Sequence, residues 1–174
     1  MTEPDPTHAR PIALAGFMGV GKSTLGRLLA QQLDRPFFDT DDEVERRSGR
    51  TVVSFFPGEE REFRRLEAET VAALVAEGPS VIALGGAALL DETTRVRLRE
   101  EYILVHLHVP WSELRTRVPA LLASRPLLQG RTPDQIHELY LARLEVYSQA
   151  AVTVTVDLNH PERSVLAVLK AIAA

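Results

Sequence analysis

The stretch GFMGVGKST, residues 16–24, matches the pattern G-x-x-x-x-G-K-[ST] of phosphate-binding loops. An apolar segment, PIALAG, ends where the loop begins, and an amphipathic segment starts at Lys22. Between a strand and a helix, such a loop lets backbone N–H groups and the positive end of the helix dipole surround an anion. The stretch therefore predicts a strand, a phosphate-binding loop and a helix, which together open an α/β fold.

The loop is expected to bind a nucleoside triphosphate, because each of its side chains suits that ligand. Lys22 can bridge the β- and γ-phosphates, and the Ser23 hydroxyl can bind Mg²⁺. Glycines allow positive φ, so that the backbone can turn its N–H groups toward phosphate oxygens. The predicted nucleotide-binding residues of the loop are Gly19, Val20, Gly21, Lys22, Ser23 and Thr24.

A phosphate-binding loop does not by itself name an activity, since GTPases, ATPase motors and small-molecule kinases share it. The chain has no N-K-x-D sequence, which a GTPase would use for guanine. With 174 residues it also lacks room for the helical lid or partner domains of many motors. A compact kinase is the leading interpretation, and a nucleotide-binding module without catalytic activity is the alternative.

Short apolar segments alternate with helix-like segments along the chain. Several of the apolar segments are almost continuously apolar, as in parallel strands covered on both faces. The alternation predicts a three-layer α/β domain with right-handed crossovers, formed by residues 1–174 as one unit. The predicted strands are 11–16, 36–40, 80–86, 102–109 and 151–158, and the predicted helices are 22–33, 42–48, 58–76, 93–100, 112–118, 133–150 and 161–173.

Two segments differ from this alternation. Residues 1–9 are polar and proline-rich and have no apolar core, so we expect a flexible tail and not a signal peptide. Residues 119–134 hold three prolines and a glycine but also four leucines. A lid that closes over a ligand is favoured there over a long packed surface loop, which is the alternative.

Composition excludes several classes of function. With 24 acidic and 20 basic residues, the chain lacks the basic surface on which general nucleic-acid binding depends. The absence of cysteine excludes disulfides, thiolate catalysis and cysteine-based zinc sites. No apolar run approaches the roughly 20 residues that span a bilayer. We expect a cytoplasmic monomer without nucleic-acid or membrane partners.

An acidic cluster, FFDTDDEVE, includes Asp39 and Asp41, which lie at the C-terminal end of the second predicted strand. Open α/β sheets bind ligands at this edge, and residues i and i+2 of a strand point to the same side. We therefore expect both carboxylates beside the phosphates, with Asp39 supporting Mg²⁺ and Asp41 accepting the proton of a hydroxyl. The alternative is a solvated acidic pair on the surface.

Further candidates lie downstream. In EREFRRLEAE, Arg64 and Glu67 are three residues apart and share one helical face, although surface ion pairs on a helix are the alternative. Gly85 and Gly86 form the end of the third predicted strand, so that their backbone N–H groups can approach a ligand. Arg143 lies on the helix after the predicted lid, in YLARLEVY.

Taken together, these motifs resemble those of shikimate kinases from Arg10 onward. GFMGVGKST, FFDTD, EFRRLE, LGG and RPLL occur in the order and approximate spacing of that family. The resemblance implies a nucleoside-monophosphate-kinase-like fold, a P-loop kinase with a five-stranded parallel sheet of order 2-3-1-4-5 and a lid. It also implies transfer of the γ-phosphoryl group of ATP to the 3-hydroxyl of shikimate, with Mg²⁺. A kinase for another polyol acid, such as gluconate, is the alternative within enzymes.

The resemblance also implies roles for single residues. Asp41 would hold the reacting hydroxyl, and Asp39 would serve Mg²⁺ together with Ser23. Lys22 and Arg125, the second of which lies in the lid, would neutralise the transferring phosphate. Lys22, Asp41 and Arg125 are thus the candidate catalytic residues.

For the acceptor, the resemblance implies a clamp of Arg64 and Arg143 on the carboxylate of shikimate, which suits the planar fork of guanidinium. Glu67 would support Arg64. Gly85 and Gly86 would contact the ring hydroxyls through their backbone.

Some positions match the family less closely. Arg117 and Pro161 are similar to adenine-side positions only loosely. Ala87 replaces the third glycine of the family's glycine run, and RLEVY replaces R-x-P-L-Y after the lid, which makes the register of Arg143 less secure. Since Ala87 lies in an otherwise intact set of motifs, we expect it to adopt negative φ.

Overall fold

The sheet has the strand order predicted from the sequence. In the computed structural model, which describes residues 10–122 and 125–174, all four strand pairs are parallel and the order is β2-β3-β1-β4-β5. The order confirms the five-stranded prediction. The strands are β1 Ile12–Ala15, β2 Phe37–Asp39, β3 Val81–Ala83, β4 Ile103–His108 and β5 Val152–Thr155.

Helices connect the strands and cover the sheet. Helix α1 packs against α8 and against the first three strands, while α4 packs against α3 and β4. None of the helices in the two described ranges is long and apolar enough to cross a membrane. The helices are α1 Lys22–Leu33, α2 Thr40–Ser48, α3 Glu60–Val75, α4 Glu92–Glu101, α5 Trp111–Leu114, α6 Val118–Leu122, α7 Pro133–Tyr147 and α8 Pro161–Ile172.

The central strand β1 positions the phosphate loop. All its residues are buried, and Ile12 pairs with Val81 on one side and with Ile103 on the other. Since β1 lies in the middle of the sheet, the loop after it projects from the middle of the carboxyl edge, where open α/β sheets bind ligands. The main hydrophobic core surrounds this strand.

A second, smaller core lies outside the main one. Val44 of α2, Phe55 of a short 3₁₀ segment and Phe63 of α3 form it, with Val52 and Phe56 packed against them. This small cluster fixes α2 and α3 relative to each other. The same small cluster therefore supports both the acidic residues after β2 and the arginine-rich helix α3.

Helix α2 begins two residues earlier than predicted. Asp39 is its N-cap, accepting a hydrogen bond from the backbone N–H of Asp41 at 3.1 Å. Asp41 thus lies in the first turn of a helix, and the prediction that strand alternation would align the two carboxylates is wrong. An aspartate at the N-cap satisfies a free helix N–H, which explains the early start.

The single helix predicted for residues 112–118 is also wrong, because two short helices, α5 and α6, occupy this region. Pro119 explains the break, since it has no N–H to donate to the carbonyl of Arg115 and its ring would crowd that carbonyl. Pro119 is instead the second residue of α6. A proline is tolerated in the first turn of a helix.

The described residues of segment 119–134 include regular structure. It holds the end of α6, a 3₁₀ turn at Pro126–Leu128 and the capping box with which Thr132 and Gln135 begin α7. Leu128 is fully buried in the main core. The predicted tail, residues 1–9, lies outside the described residues, as do residues 123 and 124.

The small cluster should contribute strongly to stability. We expect Phe55→Ala to lower the free energy of unfolding by about 3–5 kcal/mol, because it removes a buried ring from a cluster with few neighbours to fill the space. Val53, in the same 3₁₀ segment but 54% exposed, is the control, and Val53→Ala should stay within about 0.5 kcal/mol. Denaturant unfolding followed by circular dichroism measures both changes. Equal small losses in the two variants would contradict the prediction.

Candidate active site

Two adjoining cavities open at the carboxyl edge of the sheet. The phosphate cavity surrounds the loop after β1, and the acceptor cavity lies between that loop, α3 and α7. Five residues line both cavities and so mark the place where their contents meet. They are Met18, Asp41, Gly85, Gly86 and Arg125.

Most predicted site residues line one of these cavities. Val20 and Pro161 line neither, since the side chain of Val20 is buried in the core and Pro161 begins α8. The phosphate cavity is also lined by Gly19, Gly21, Lys22, Ser23, Thr24, Asp39, Leu84, Arg117 and Leu121, and the acceptor cavity by Phe17, Val52, Phe56, Phe63, Arg64, Glu67, Ala87, Leu127 and Arg143.

The phosphate loop has the backbone that its glycines predict. Gly19 and Gly21 have φ values of 84° and 94°, in the left-handed region that side chains disfavour. Gly21 caps α1 without any side-chain hydrogen bond, which leaves the first N–H groups of that helix directed at the cavity. The Lys22 ammonium donates to the carbonyls of Gly16 at 2.8 Å and Phe17 at 3.2 Å, and so folds back over the loop.

The charge on Lys22 is costly in the free protein. Burial, and after it the nearby Arg125 guanidinium, lower the pKa of Lys22 to about 8 against the opposing effects of Asp41 and Asp39. Phosphate oxygens would supply the negative charge that this ammonium lacks. The cavity is thus electrostatically prepared for a polyanion.

Asp39 uses both of its carboxylate oxygens. Its Oδ2 accepts from the Ser23 hydroxyl at 2.6 Å, while its Oδ1 caps α2. A hydroxyl oxygen and a carboxylate oxygen side by side are ligands that Mg²⁺ prefers, and it commonly takes its remaining ligands from phosphates and water. No group of three or more acidic, histidine or cysteine side chains among the described residues could hold a metal ion. Ser23 and Asp39 therefore fit a magnesium ion that is bound mainly through a nucleotide.

Asp41 stands at the junction of the two cavities. Its Oδ2 lies 3.6 Å from a guanidinium nitrogen of Arg125. Burial raises the pKa of Asp41, and the neighbouring Asp39 raises it further, against Arg125, Lys22 and Arg64. A carboxyl with a raised pKa accepts a proton more readily than an exposed aspartate does.

Arg64 and Glu67 form an ion pair on α3 with a separation of 2.6 Å. Glu67 is buried, and its Oε1 has no hydrogen-bond partner in the described parts of the chain. Burial raises the pKa of Glu67 in spite of Arg64. This orphaned oxygen lies beside Gly85, where a Cβ would collide with it and would lie 2.9 Å from Asp41 Oδ1. Gly85 is therefore required by the two carboxylates that approach it.

Arg143 supplies a second guanidinium to the acceptor cavity. It is 8% exposed, and within residues 10–122 and 125–174 it forms no ion pair. Burial lowers the pKa of Arg143, and Arg64 contributes to the lowering. Two guanidinium groups that line one cavity suit a ligand with a carboxylate. The substitution of RLEVY for R-x-P-L-Y has not moved Arg143 out of this cavity.

Sequence reasoning missed two hydroxyl groups at the glycine turn. Gly85 N–H donates to Thr40 Oγ1 at 2.8 Å, and the Tyr147 hydroxyl donates to the carbonyl of Gly86 at 2.7 Å. The expectation that both glycine N–H groups are bare is therefore wrong for Gly85. Thr40 lies between the two aspartates of FFDTD, and Tyr147 lies four residues after Arg143 on the same helix face. Ala87 has a φ of −121°, which confirms the prediction made for it.

Arg117 joins the phosphate loop to the chain after β5. Its guanidinium donates to the carbonyls of Gly19 at 3.4 Å and Leu158 at 3.2 Å. The residues after Leu158 form a turn in which Asp157 accepts from the N–H groups of Asn159 and His160, directly before α8. This places Arg117 beside the loop, whereas Pro161 stays outside the cavity.

The sequence profile described as shikimate kinase matches residues 18–173. The chain belongs to the shikimate kinase family. A shikimate kinase from Thermobifida fusca is 42% identical over 170 residues, which cover 95% of this chain and 97% of the relative. The crystal structure of an Acinetobacter baumannii shikimate kinase in complex with shikimate is similar with a TM-score of 0.85 and 32% identity, covering 92% of this chain and 91% of that one.

Membership of the shikimate kinase family identifies the chain as an ATP-using kinase. A gluconokinase from Sinorhizobium meliloti is more distant, with a TM-score of 0.50 and 21% identity over 94% of this chain and 93% of that one. That likeness shows a shared fold alone.

The pKa of Lys22 leads to a prediction for ATP binding in this family member. Lys22 is charged below its pKa of about 8, and the terminal phosphate of ATP is already ionised above about pH 7. ATP affinity without acceptor should therefore be constant near neutral pH and fall as the pH rises through 8. Calorimetric titration at a series of pH values measures it.

Lys22→Arg is the control, because a guanidinium stays charged throughout this range. Its ATP affinity, whatever its absolute value, should not fall across the same pH values. A wild-type affinity that stays constant to about pH 9.5, well above the pKa of about 8, would contradict the prediction.

Proposed function

We propose that the chain transfers the γ-phosphoryl group of ATP to the 3-hydroxyl of shikimate, giving shikimate 3-phosphate and ADP. The observation that carries this proposal is the position of Asp41, which lines both cavities. A hydroxyl bound at Asp41 would lie next to the phosphate that it attacks. Phosphoryl transfer depends mainly on such positioning and on neutralisation of charge.

On the nucleotide side, Lys22 and Arg125 neutralise the phosphate oxygens as the phosphoryl group moves. The loop residues bind the phosphates through backbone N–H groups, as the left-handed φ values of Gly19 and Gly21 allow. Ser23 and Asp39 would hold Mg²⁺, which when bound supplies a Lewis acid for the β- and γ-phosphates. Arg117 contributes at the nucleotide side from its place beside Gly19.

On the acceptor side, Arg64 and Arg143 bind the carboxylate of shikimate through their planar guanidinium groups. Glu67 orients Arg64 through the ion pair at 2.6 Å. The aromatic rings of Phe56 and Phe63 line the same cavity and offer an apolar wall to the ring of the substrate. A carboxylate at one end and hydroxyls toward Asp41 set the orientation of the acceptor.

Asp41 orients the 3-hydroxyl and accepts its proton. Its raised pKa, caused by burial and by Asp39, makes this transfer easier than it would be to an exposed carboxylate. Arg125, 3.6 Å away, then exchanges its contact with Asp41 for the developing charge on the phosphate. We propose further that residues 119–134 act as a lid on a single domain and bring Arg125 to the phosphates when ligands bind.

Release of ADP in the presence of ATP and one acceptor at a time tests the proposed function. Shikimate should support turnover, whereas gluconate and a reaction without acceptor should give only background release. Turnover with gluconate instead would favour the other polyol-acid kinase. No turnover with any acceptor, together with tight ATP binding, would favour the nucleotide-binding module without activity.

Asp41→Asn should lower kcat by about 10²–10⁴-fold, because an amide cannot accept the hydroxyl proton. ATP affinity should be retained, since the phosphate loop is unchanged. Asp42→Asn is the matched control, because Asp42 lies on the same helix but its side chain is mostly exposed. Its ion pair with Arg27, at 3.9 Å, is also exposed. Steady-state kinetics of the wild type, Asp41→Asn and Asp42→Asn measure kcat. A kcat in Asp41→Asn close to that of Asp42→Asn would remove Asp41 from the mechanism.

Arg64→Lys and Arg143→Lys should each raise the KM for shikimate more than the KM for ATP. Each variant keeps the charge but loses the planar fork that binds a carboxylate through two hydrogen bonds. Arg65→Lys is the control on α3, since Arg65 is exposed and its ion pairs among the described residues are with Glu62 and Glu69 alone. Initial rates with either substrate varied provide the comparison. An unchanged KM for shikimate in Arg143→Lys would mean that Arg143 does not bind the acceptor.

A further inference from the structure

Two buried hydroxyl groups hold the glycine turn that follows β3. Thr40 Oγ1 accepts from the N–H of Gly85 at 2.8 Å, and the Tyr147 hydroxyl donates to the carbonyl of Gly86 at 2.7 Å. Thr40 is fully buried and Tyr147 is 3% exposed. The turn is thus fastened on one side to the start of α2 and on the other to the end of α7.

These two bonds determine which backbone groups of the turn remain for a ligand. The carbonyl of Gly85 accepts from the N–H of Ala88 at 3.1 Å, which closes the turn internally. Within the described ranges, the N–H groups of Gly86 and Ala87 donate to no protein group. Both residues line the acceptor cavity. Any rotation of the turn would change the direction of these two N–H groups.

We propose that Tyr147 is a positioning residue for the acceptor, because its hydrogen bond to the Gly86 carbonyl holds the peptide group that carries the N–H of Ala87 and restrains the adjoining N–H of Gly86. This inference rests on the proposed function, in which shikimate occupies the cavity that these N–H groups line. Tyr147 itself does not touch the acceptor, since it does not line the cavity. Its effect passes through the backbone of the turn.

Helix α7 makes this effect possible. Arg143 and Tyr147 are four residues apart on one face of α7, and both are buried. One helix therefore sets the positions of a guanidinium for the substrate carboxylate and of the turn for the substrate hydroxyls. The Tyr147 ring lies 5.2 Å from the His106 ring of β4, which limits its movement. Helix α7 thus fixes the distance between Arg143 and the glycine turn.

Tyr147→Phe tests the proposal, because it removes one hydroxyl and keeps the ring. The KM for shikimate should rise about 3- to 12-fold, the fold-change that corresponds to the loss of one hydrogen bond. The dissociation constant for ATP should stay within about 2-fold, since the phosphate loop is untouched. A variant that is only less stable would keep the wild-type ratio of the KM for shikimate to the dissociation constant for ATP.

The other two tyrosines are matched controls. The Tyr102 hydroxyl donates to the carbonyl of Val71 at 2.8 Å, and that of Tyr140 donates to the carbonyl of Val109 at 2.9 Å. Tyr102→Phe and Tyr140→Phe each lose the same type of buried bond away from the glycine turn. Their melting temperatures should fall as that of Tyr147→Phe does, whereas their KM for shikimate should equal that of the wild type.

Thr40 tests the same premise, that the orientation of the glycine turn sets the affinity for the acceptor. This test does not need Tyr147→Phe to fold. Thr40→Ser keeps the acceptor for Gly85 N–H, and Thr40→Val removes it with nearly the same volume. The KM for shikimate should rise in Thr40→Val and return toward the wild-type value in Thr40→Ser.

The outcomes separate this inference from the proposed function. A wild type that does not phosphorylate shikimate would overturn both. A wild type that does, with Tyr147→Phe raising the KM for shikimate no more than Tyr102→Phe and Tyr140→Phe, would overturn the positioning role alone. Parallel losses of ATP and shikimate affinity in Tyr147→Phe would also overturn it.

Discussion

The carboxylate of Asp39 fixes the phosphate loop and the start of α2 relative to each other. One of its oxygens accepts from Ser23 in the phosphate loop at 2.6 Å, and the other accepts from the backbone of Asp41 at 3.1 Å. Because the two oxygens belong to one planar group, the loop and the start of α2 cannot shift independently. The distance between the candidate base and the phosphates therefore depends on a single side chain. A residue that caps a helix for local reasons thus also positions Asp41 relative to the phosphate loop.

Charge is distributed so that the free site is incomplete. Burial raises the pKa of the carboxyl groups of Asp41 and Glu67, and burial lowers the pKa of Lys22. Each shift reflects a charge that is poorly compensated when the cavities hold only protein. Phosphates and a carboxylate would bring the missing partners to Lys22 and to the paired arginines. Such a site gains its full set of interactions only when both substrates are present, which suits a kinase that must not transfer phosphate to water.

Two hydrophobic cores position different parts of the site. The main core surrounds β1 and holds the phosphate loop at the middle of the sheet edge. The small cluster around Phe55 joins α2 to α3, and so carries Asp41 and Arg64 together. The glycine turn after β3 belongs to the sheet but is fastened to α2 by Thr40 and to α7 by Tyr147. The acceptor cavity is therefore assembled from parts that are far apart in the chain.

The features that depend on local pattern could be predicted from the amino-acid sequence. Apolar segments in alternation with helical ones predicted the parallel sheet, the spacing of GFMGVGKST predicted the phosphate loop, and the resemblance to shikimate kinases supplied the strand order. Local pattern failed at the boundaries, where Asp39 caps α2 early and the helix predicted for residues 112–118 is replaced by the two short helices α5 and α6. The bonds from Thr40 to Gly85 and from Tyr147 to Gly86 join residues 45 and 61 positions apart. These contacts could not be predicted from the chain, because a hydrogen bond between distant residues depends on how the helices pack and leaves no periodic signal.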